Sequence, residues 1–408
     1  MEERADVVIV GAGIAGIALS FELQKRGVST ILLDSRKSPD PTPRGITLQP
    51  NGLEALEKIG ILDRVQQMGT DERILEIKDW NHNLLLEADY SALDHPQNYI
   101  MTVNAVEVEQ ILGYKTENMG AKTIWGARFE EILWNNGTAQ GIRANIDGRP
   151  ANIGASIVVG ADGPQSKVRA AIGAITKTKK YSDSFLVGLI GPTRELKDRA
   201  RQYQAPGKML GIMPAGPDAS YFFYCLGERS FNDLKKQGVE QFRGEVTEAA
   251  PELEEAFGSV AAWTRMAYFT PSFIKVDKWV GNGVALLGDS AHTFHPHSGQ
   301  GVNLSLQDAL VLADVILEAL KAGDTSAAKL ASYQTSRKMF ADVIGQHAHY
   351  TATYALSNNW LIKRLNKRAL KKMQKNKELM KRALEITAGI FTKKPGLIEQ
   401  MKMGGILP

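Results

Sequence analysis

The chain has 408 residues, 43% of them hydrophobic, and a single cysteine, Cys225. That length suits two domains and a further element, and a lone cysteine excludes an internal disulfide and any cysteine-based metal cluster. The net charge of +4 is small for this length and gives no pointer to nucleic acid, and no apolar run approaches the length that spans a bilayer. The opening MEERADVVIV is acidic and then strand-like. It reads as neither a signal nor a transit peptide, so a cytoplasmic protein is expected.

In chain order, VVIV (7–10) predicts a short buried strand, GAGIAG (11–16) a tight turn, and Ile14 to Lys25 a helix that Gly27 stops. STILLD (29–34) is a second strand, and a βαβ opening predicts a parallel sheet. Residues 69–103 change character: ILEIKDW and LLLEADY look like antiparallel strands. Helical and parallel-strand character returns at 104–175. From 176 to 275 FLVGLIG, MLGIMP, SYFFYCL and TRMAYF read as strands again. GVALLGD (283–289) is a buried strand, 299–322 a helix, and everything after 336 helical. The pattern is an α/β domain (1–68, 104–175 and 276–335) interrupted twice by an antiparallel-sheet domain (69–103 and 176–275), with a C-terminal helical region at 336–408.

Four segments carry chemistry. In GAGIAG, Gly11 permits the turn, Gly13 lets the backbone approach a pyrophosphate, and Gly16 allows close helix–strand packing. Ala12, Ile14 and Ala15 complete a loop whose helix N-terminus points amides at phosphates. Asp34 ends the second strand where an acid accepts from ribose hydroxyls, with Ser35 and Arg36 beside it. Arg44 and Gly45 form a loop from which a cation can reach a cofactor phosphate. In VVGADGPQSKVR (158–169), Asp162 and Gly163 form a turn before a helix that Ser166 can cap. The longest segment is GDSAHTFHPHSGQGVNLSLQDA (288–309). There Gly288 and Asp289 close the strand, Pro296 stiffens the loop, and Gly299, Gln300 and Gly301 admit a ring system. Val302 and Asn303 start a helix whose amides would stabilise negative charge on a reduced ring.

These motifs, in this order, resemble the class A flavin monooxygenases, the para-hydroxybenzoate hydroxylase-like aromatic hydroxylases and their ubiquinone-pathway relatives, over residues 5–335. The resemblance implies a Rossmann-like FAD-binding domain interleaved with an antiparallel-sheet substrate domain, followed by C-terminal helices. It implies non-covalent FAD, NAD(P)H as a transient co-substrate, and oxygen transfer to a small organic substrate through a flavin C4a-hydroperoxide. Gly11, Gly13 and Gly16 would hold the pyrophosphate, Asp34 the adenosine ribose and Asp289 the ribityl chain. Asp162 would belong to a motif shared with the nicotinamide nucleotide, Arg44 would touch both cofactors, and Pro296 with Gly299–Gly301 would line the isoalloxazine. Two departures stand out. Ala105 follows Asn104 where the family places an arginine or glutamine, and His295 and His297 flank Pro296 where smaller or apolar residues are usual.

His292, His295 and His297 form a string, but a metal site also wants a further ligand, so no metal is expected. An acid–base role beside the flavin suits His295 or His297, alongside Pro296. In SYFFYCL alternation puts Tyr221, Phe223 and Cys225 on one face, and that face, with Met213, is a candidate substrate wall. Residues 361–382 hold ten Lys or Arg against one acid, Glu378, with Ile362, Leu365, Ala369, Met373, Met380 and Leu384 at near-helical spacing. Such a helix either packs on the FAD domain or touches anionic lipid, which would make the protein peripheral to a membrane. A monomer or homodimer is expected. A reductase or saturase of the same fold and a non-turnover flavin redox sensor stay open; a halogenase does not fit, because no tryptophan sits in a WxWxIP-like segment.

Overall fold

The structure, a computed structural model, describes residues 3–42, 44–227, 229–258, 260, 263 and 266–407. An eight-stranded sheet forms the first body. Its centre is parallel: Glu3–Val10 lies between Thr30–Asp34 and Arg149–Gly160, flanked in turn by Lys122–Trp125 and Val284–Leu286. Val7, Val8 and Ile9 are fully buried because helices Ile14–Gln24, Ala105–Asn118 and Gly301–Ala322 cover the sheet. The hairpin Ala127–Asn135 and Thr138–Ile146 extends the sheet antiparallel from Arg149–Gly160.

The second body is a seven-stranded sheet in the order Met266–Phe269, Ser184–Ile190, Ser220–Gly227, Lys208–Pro214, Arg199–Ala205, Ile74–Asp79, Leu84–Asp89. All its pairs are antiparallel except Arg199–Ala205 with Ile74–Asp79. The strands expected from 69–103 divide: Thr70–Glu72 and Ile100–Asn104 instead join Gly45–Leu48 in a separate three-stranded sheet with Ile100–Asn104 in the middle. Residues 100–103 of that strand are buried, which fits an internal strand between two partners. The first two residues of TRMAYF lie outside the described residues.

Phe222, Tyr224 and Leu226 point from the second sheet into a core with Phe242 and Val246 of helix Val239–Ala249. Phe185, Val187 and Cys225 point to the opposite face, toward Ala355 and Leu356. Those last two end the 30-residue helix Ala327–Leu356, whose Tyr333 and Ile344 belong to the core of the first body. At about 1.5 Å per residue that helix runs about 45 Å and ties the two bodies together.

The basic segment is two helices, Trp360–Lys375 and Lys377–Thr387. Asn376, with φ −120° and ψ 99°, breaks the run and then caps the second helix by accepting from the Leu379 amide. Met373, Met380 and Leu384 pack with Leu86 and Ala88 of the edge strand Leu84–Asp89. The apolar stripe is therefore spent on the seven-stranded sheet, not on the first body.

Candidate functional site

The three glycines of the first turn have three different surroundings. Gly11 has φ +114°, and a Cβ there would sit 2.2 Å from the Ala161 carbonyl oxygen. Gly16 presses its helix onto the strand, since a Cβ would sit 2.0 Å from the Gly11 oxygen. A Cβ on Gly13 would meet nothing within 4 Å beyond its chain neighbours. Gly13 faces a cavity of about 450 Å³ bounded by Gly11, Asp34, Arg36, Arg128 and Asp162 among others. An open Gly13 at the start of helix Ile14–Gln24, above a wall with three cations, Arg36, Arg128 and Lys167, fits a bound diphosphate.

Asp34 lines the same cavity. Its Oδ2 accepts from the Ala12 amide at 3.0 Å, and Arg36 donates to both oxygens at 2.9–3.0 Å. Burial alone would raise the Asp34 pKa; the Arg36 and Ala12 hydrogen bonds outweigh it and hold the carboxyl below its ordinary value. Arg44 lies elsewhere: its guanidinium donates to Asp40 at 2.6 Å and Glu109 at 3.2 Å. In this structure its charge is used by two carboxylates and does not reach the glycine turn, and Gly45 is covered by the Tyr221 ring.

Asp162 also proves to be a structural hub. It accepts from Ser166 and from the Lys167 and Val168 amides, so its carboxylate is spent on the N-terminus of helix Lys167–Ala171. The Ser290 hydroxyl reaches Asp162 at 3.2 Å and accepts from the Gly163 amide at 3.0 Å, while Arg169 donates to the Ser290 carbonyl. The 158–169 turn and the 288–290 turn are thereby locked side by side. Asp289 is different. Its carboxylate has no protein hydrogen-bond partner among the described residues, and it faces the bare Cα of Gly301, where a Cβ would lie 4.0 Å from Oδ1. Burial raises its pKa, against the opposing effect of His292. An unspent, partly exposed acceptor is what a row of ligand hydroxyls requires.

The loop from Gly288 through Pro296 to Gly301 is held from outside. Pro296–Ser298 makes a single helical turn that ends in Gly299 at φ +62°. Asn303 accepts from the Gln49 amide and donates to the Thr47 and Gly299 carbonyls at 3.0 and 2.6 Å. Gln300 exchanges hydrogen bonds with Asn51 and donates to the Thr387 carbonyl at 2.6 Å. Both side chains act as braces, leaving the backbone of Gly299, Gly301 and Val302 to meet a ring. A flavin fits these residues: an open diphosphate cradle, a ribose acid, a free ribityl acceptor and a braced glycine loop at a helix N-terminus follow one another.

The three histidines diverge. His292 Nε2 pairs with Asp308 at 2.6 Å, and Arg337 Nε donates to the other oxygen of Asp308 at 2.6 Å. His295 Nε2 lies 2.8 Å from Asp183, and its Nδ1 accepts from the His297 amide, which makes Nε2 the protonated nitrogen. His297 turns into a second cavity of about 180 Å³, between the seven-stranded sheet and the C-terminal helices. Burial, then the charges of His295 and His347, push its pKa down to about 3. It is therefore a neutral hydrogen-bonding group at physiological pH and a poor base. Among the described residues no group of three or more His, Cys, Asp or Glu side chains is placed to hold a metal ion.

Tyr221, Phe223 and Met213 do not line the cavity beside His297. Tyr221 lies against Gly45 and Phe223 against Gly211, each ring occupying the space a Cβ would take. Met213 packs in the cluster of Leu86 and Ala200. The cavity is walled instead by Leu75, Ile77, Gln202 and Gln204 of the sheet and by Leu370 and Met373 of the C-terminal helices. The strand carrying the two glutamines, RARQYQA, has no apolar alternation to announce it.

The chain belongs to the family described as FAD binding domain, whose model matches residues 4–348. It is an FAD-dependent monooxygenase, an oxidoreductase, and NAD(P)H is the reductant typical of such enzymes. It is 26% identical to 6-methylpretetramide 4-monooxygenase of Streptomyces rimosus, over 79% of this chain and 78% of that one. It is 27% identical to ubiquinone hydroxylase UbiL of Rhodospirillum rubrum, over 83% and 78%. Among solved structures, PqsL of P. aeruginosa in complex with 2-aminobenzoylacetate superposes with a TM-score of 0.77 at 25% identity, covering 86% of this chain and 97% of that one.

Replacing Asp289 with alanine is expected to weaken FAD binding, while Asp79→Ala, on a hairpin turn of the second sheet, is not. A hydrogen bond to a charged group is worth about 1.5–3 kcal/mol, roughly tenfold or more in affinity. Flavin titration of the two apoproteins measures the difference, and equal affinities would remove Asp289 from the site.

Proposed function

We infer that the protein hydroxylates or epoxidises a small aromatic or otherwise hydrophobic substrate, using NAD(P)H and O2. What supports this most is one adjacency: the braced Pro296–Gly301 loop, suited to a flavin ring, carries His297 and Ser298 into a mostly apolar cavity. FAD, when bound, supplies hydride acceptance from the nicotinamide and, once reduced, activation of O2. The chain does the rest. Gly13 and the helix N-terminus behind it would hold the diphosphate, Asp34 the adenosine ribose and Asp289 the ribityl hydroxyls. Amides at the start of helix Gly301–Ala322 would stabilise negative charge on the reduced ring. The C-terminal helices form one wall of the cavity and would limit the access of water to it. The division into an FAD-binding body and a substrate-binding sheet rests on the same adjacency. The test is a panel of phenols and quinones added to the yellow holoenzyme with NADH or NADPH. Compounds that accelerate nicotinamide oxidation support the reading, and a panel without effect on an enzyme that the nicotinamide does reduce speaks for the redox-sensor alternative.

No helix among the described residues is long and apolar enough to cross a membrane. Peripheral contact has separate support: Trp360 is 69% exposed and Leu397 74%, beside the basic face of residues 361–382. Apolar anchors among cations suit an anionic lipid surface. Co-sedimentation with phosphatidylserine vesicles should be strong at low salt and fade as salt rises, since charges are screened beyond about 10 Å at about 0.1 M. It should weaken in Trp360→Glu. Absence of binding at low salt would make the basic face solvated surface only.

A further inference from the structure

Three buried side-chain atoms at the wall of the cavity beside the flavin loop have no hydrogen-bond partner: Nδ1 of His297, Oγ of Ser298 and Nε2 of Gln202. Leaving one such atom unpaired is costly, and three around a single space point to a ligand that pairs them. His297 and Ser298 come from the flavin loop and Gln202 from the sheet. The rest of the wall is mainly apolar, with Leu370, Met373, Ala383 and Leu384 among others. That cavity shares Thr351, Met373, Ala383 and Met403 with a second one of about 340 Å³, which runs between the C-terminal helices toward the exposed Leu397. The second space is lined mainly by apolar atoms and by several methionines, whose flexible side chains adapt to a chain of no fixed shape. A small hydroxylated ring would fill the first cavity and leave the second without a purpose.

We propose that the two cavities form one amphipathic channel, and that the substrate is an oxygen- or nitrogen-bearing aromatic ring with an unbranched apolar side chain. The ring's polar groups pair with His297, Ser298 and Gln202, and the side chain runs past Ala383 and Met403 toward Leu397. His297 stays neutral, so its Nδ1 can accept from a ring hydroxyl. The proposal rests on the monooxygenase reading for the place of the ring and adds the class of substrate.

The test uses the FAD-loaded enzyme and para-n-alkylphenols from methyl to octyl, with Kd read from the perturbation of flavin absorbance. A buried methylene contributes about 0.8 kcal/mol, so affinity should rise about fourfold per added carbon until the tail emerges. Ala383→Trp should abolish that rise. Thr351→Trp, in the same shared wall, is the second variant, and retained FAD reports that each is folded. The n-alkylbenzenes of equal length should bind much more weakly, because they leave the three polar atoms unpaired. Affinity that stays flat or falls beyond methyl overturns the channel, and so do alkylbenzenes that bind as well as the phenols. Product analysis on the same series separates this from the enzyme reading. Hydroxylated para-methylphenol with flat binding leaves the monooxygenase assignment and removes the channel. Chain-dependent binding without any oxygenated product supports the channel and removes the substrate assignment made above.

Discussion

Gly11→Ala should cost the protein several kcal/mol of stability and its flavin, whereas Gly13→Ala, two residues on, should cost only the flavin. Gly11 sits at φ +114°, where an L side chain is strained, and its new methyl would lie 2.2 Å from the Ala161 oxygen. That oxygen cannot retreat easily, because the Ala161 amide donates to Val10 at 2.8 Å and the Gly11 amide to Leu33 at 2.7 Å. Backbone strain of about 1–3 kcal/mol adds to overpacking of about 1–3 kcal/mol. Gly13 has φ −87° and open space beyond it, so the apoprotein should accept alanine there. The methyl would then stand where a diphosphate approaches. Urea midpoints of the apoproteins and flavin titration read the two effects separately. Equal destabilisation by both substitutions would refute the division of roles.

Asp308→Ala should be nearly as damaging, at a site that touches no cofactor. Asp308 is 1% exposed and holds both His292 Nε2 and Arg337 Nε at 2.6 Å. Removing it leaves the 6% exposed Arg337 guanidinium without its carboxylate. Breaking such a buried pair costs about 3–5 kcal/mol. Burial raises the Asp308 pKa, but Arg337 and His292 outweigh it and hold the carboxyl below its ordinary value. With the folded pKa depressed, the contribution is complete above the ordinary carboxylate pKa and is lost as the pH falls below about 4. The wild-type advantage in thermal midpoint over Asp308→Ala should therefore be largest near neutral pH and shrink on acidification. An advantage that grows with acid would mean the pair is not ionised as described.

Where neighbours in sequence are neighbours in space, the sequence is readable. The tight turn at Gly11, the close packing of Gly16 on it, the acid that ends strand Thr30–Asp34 and the helix start after Gly299 are set within a few residues of each motif. Alternation correctly split Tyr221, Phe223 and Cys225 from Phe222 and Tyr224, but it carries no information on what each face meets. Gly45, from a distant segment, and Gly211, from the paired neighbouring strand, receive the rings of the first set. The histidine string diverges for the same reason. Asp183, Asp308 and Arg337 decide where His292 and His295 turn, and each arrives on another element. Arg44 and Asp162 stand in the expected places along the chain, but their charges are spent on Asp40 and Glu109 and on a helix N-terminus. Gln202 and Gln204 escaped notice because RARQYQA is a strand held by its neighbours rather than by its own pattern. The basic segment is helical as its spacing suggests, yet the edge strand Leu84–Asp89, far away in sequence, determines what its apolar stripe meets.

Isotopic labelling tests the central claim most directly. The holoenzyme is reduced with nicotinamide in the absence of air, mixed with a phenol that accelerates turnover, and exposed to heavy-isotope dioxygen, and the product is weighed by mass spectrometry. A monooxygenase built on this site puts one heavy oxygen atom into each product molecule, and none when the label is supplied as water. A reduced or unchanged product, or an oxygen that comes from water, would contradict the account.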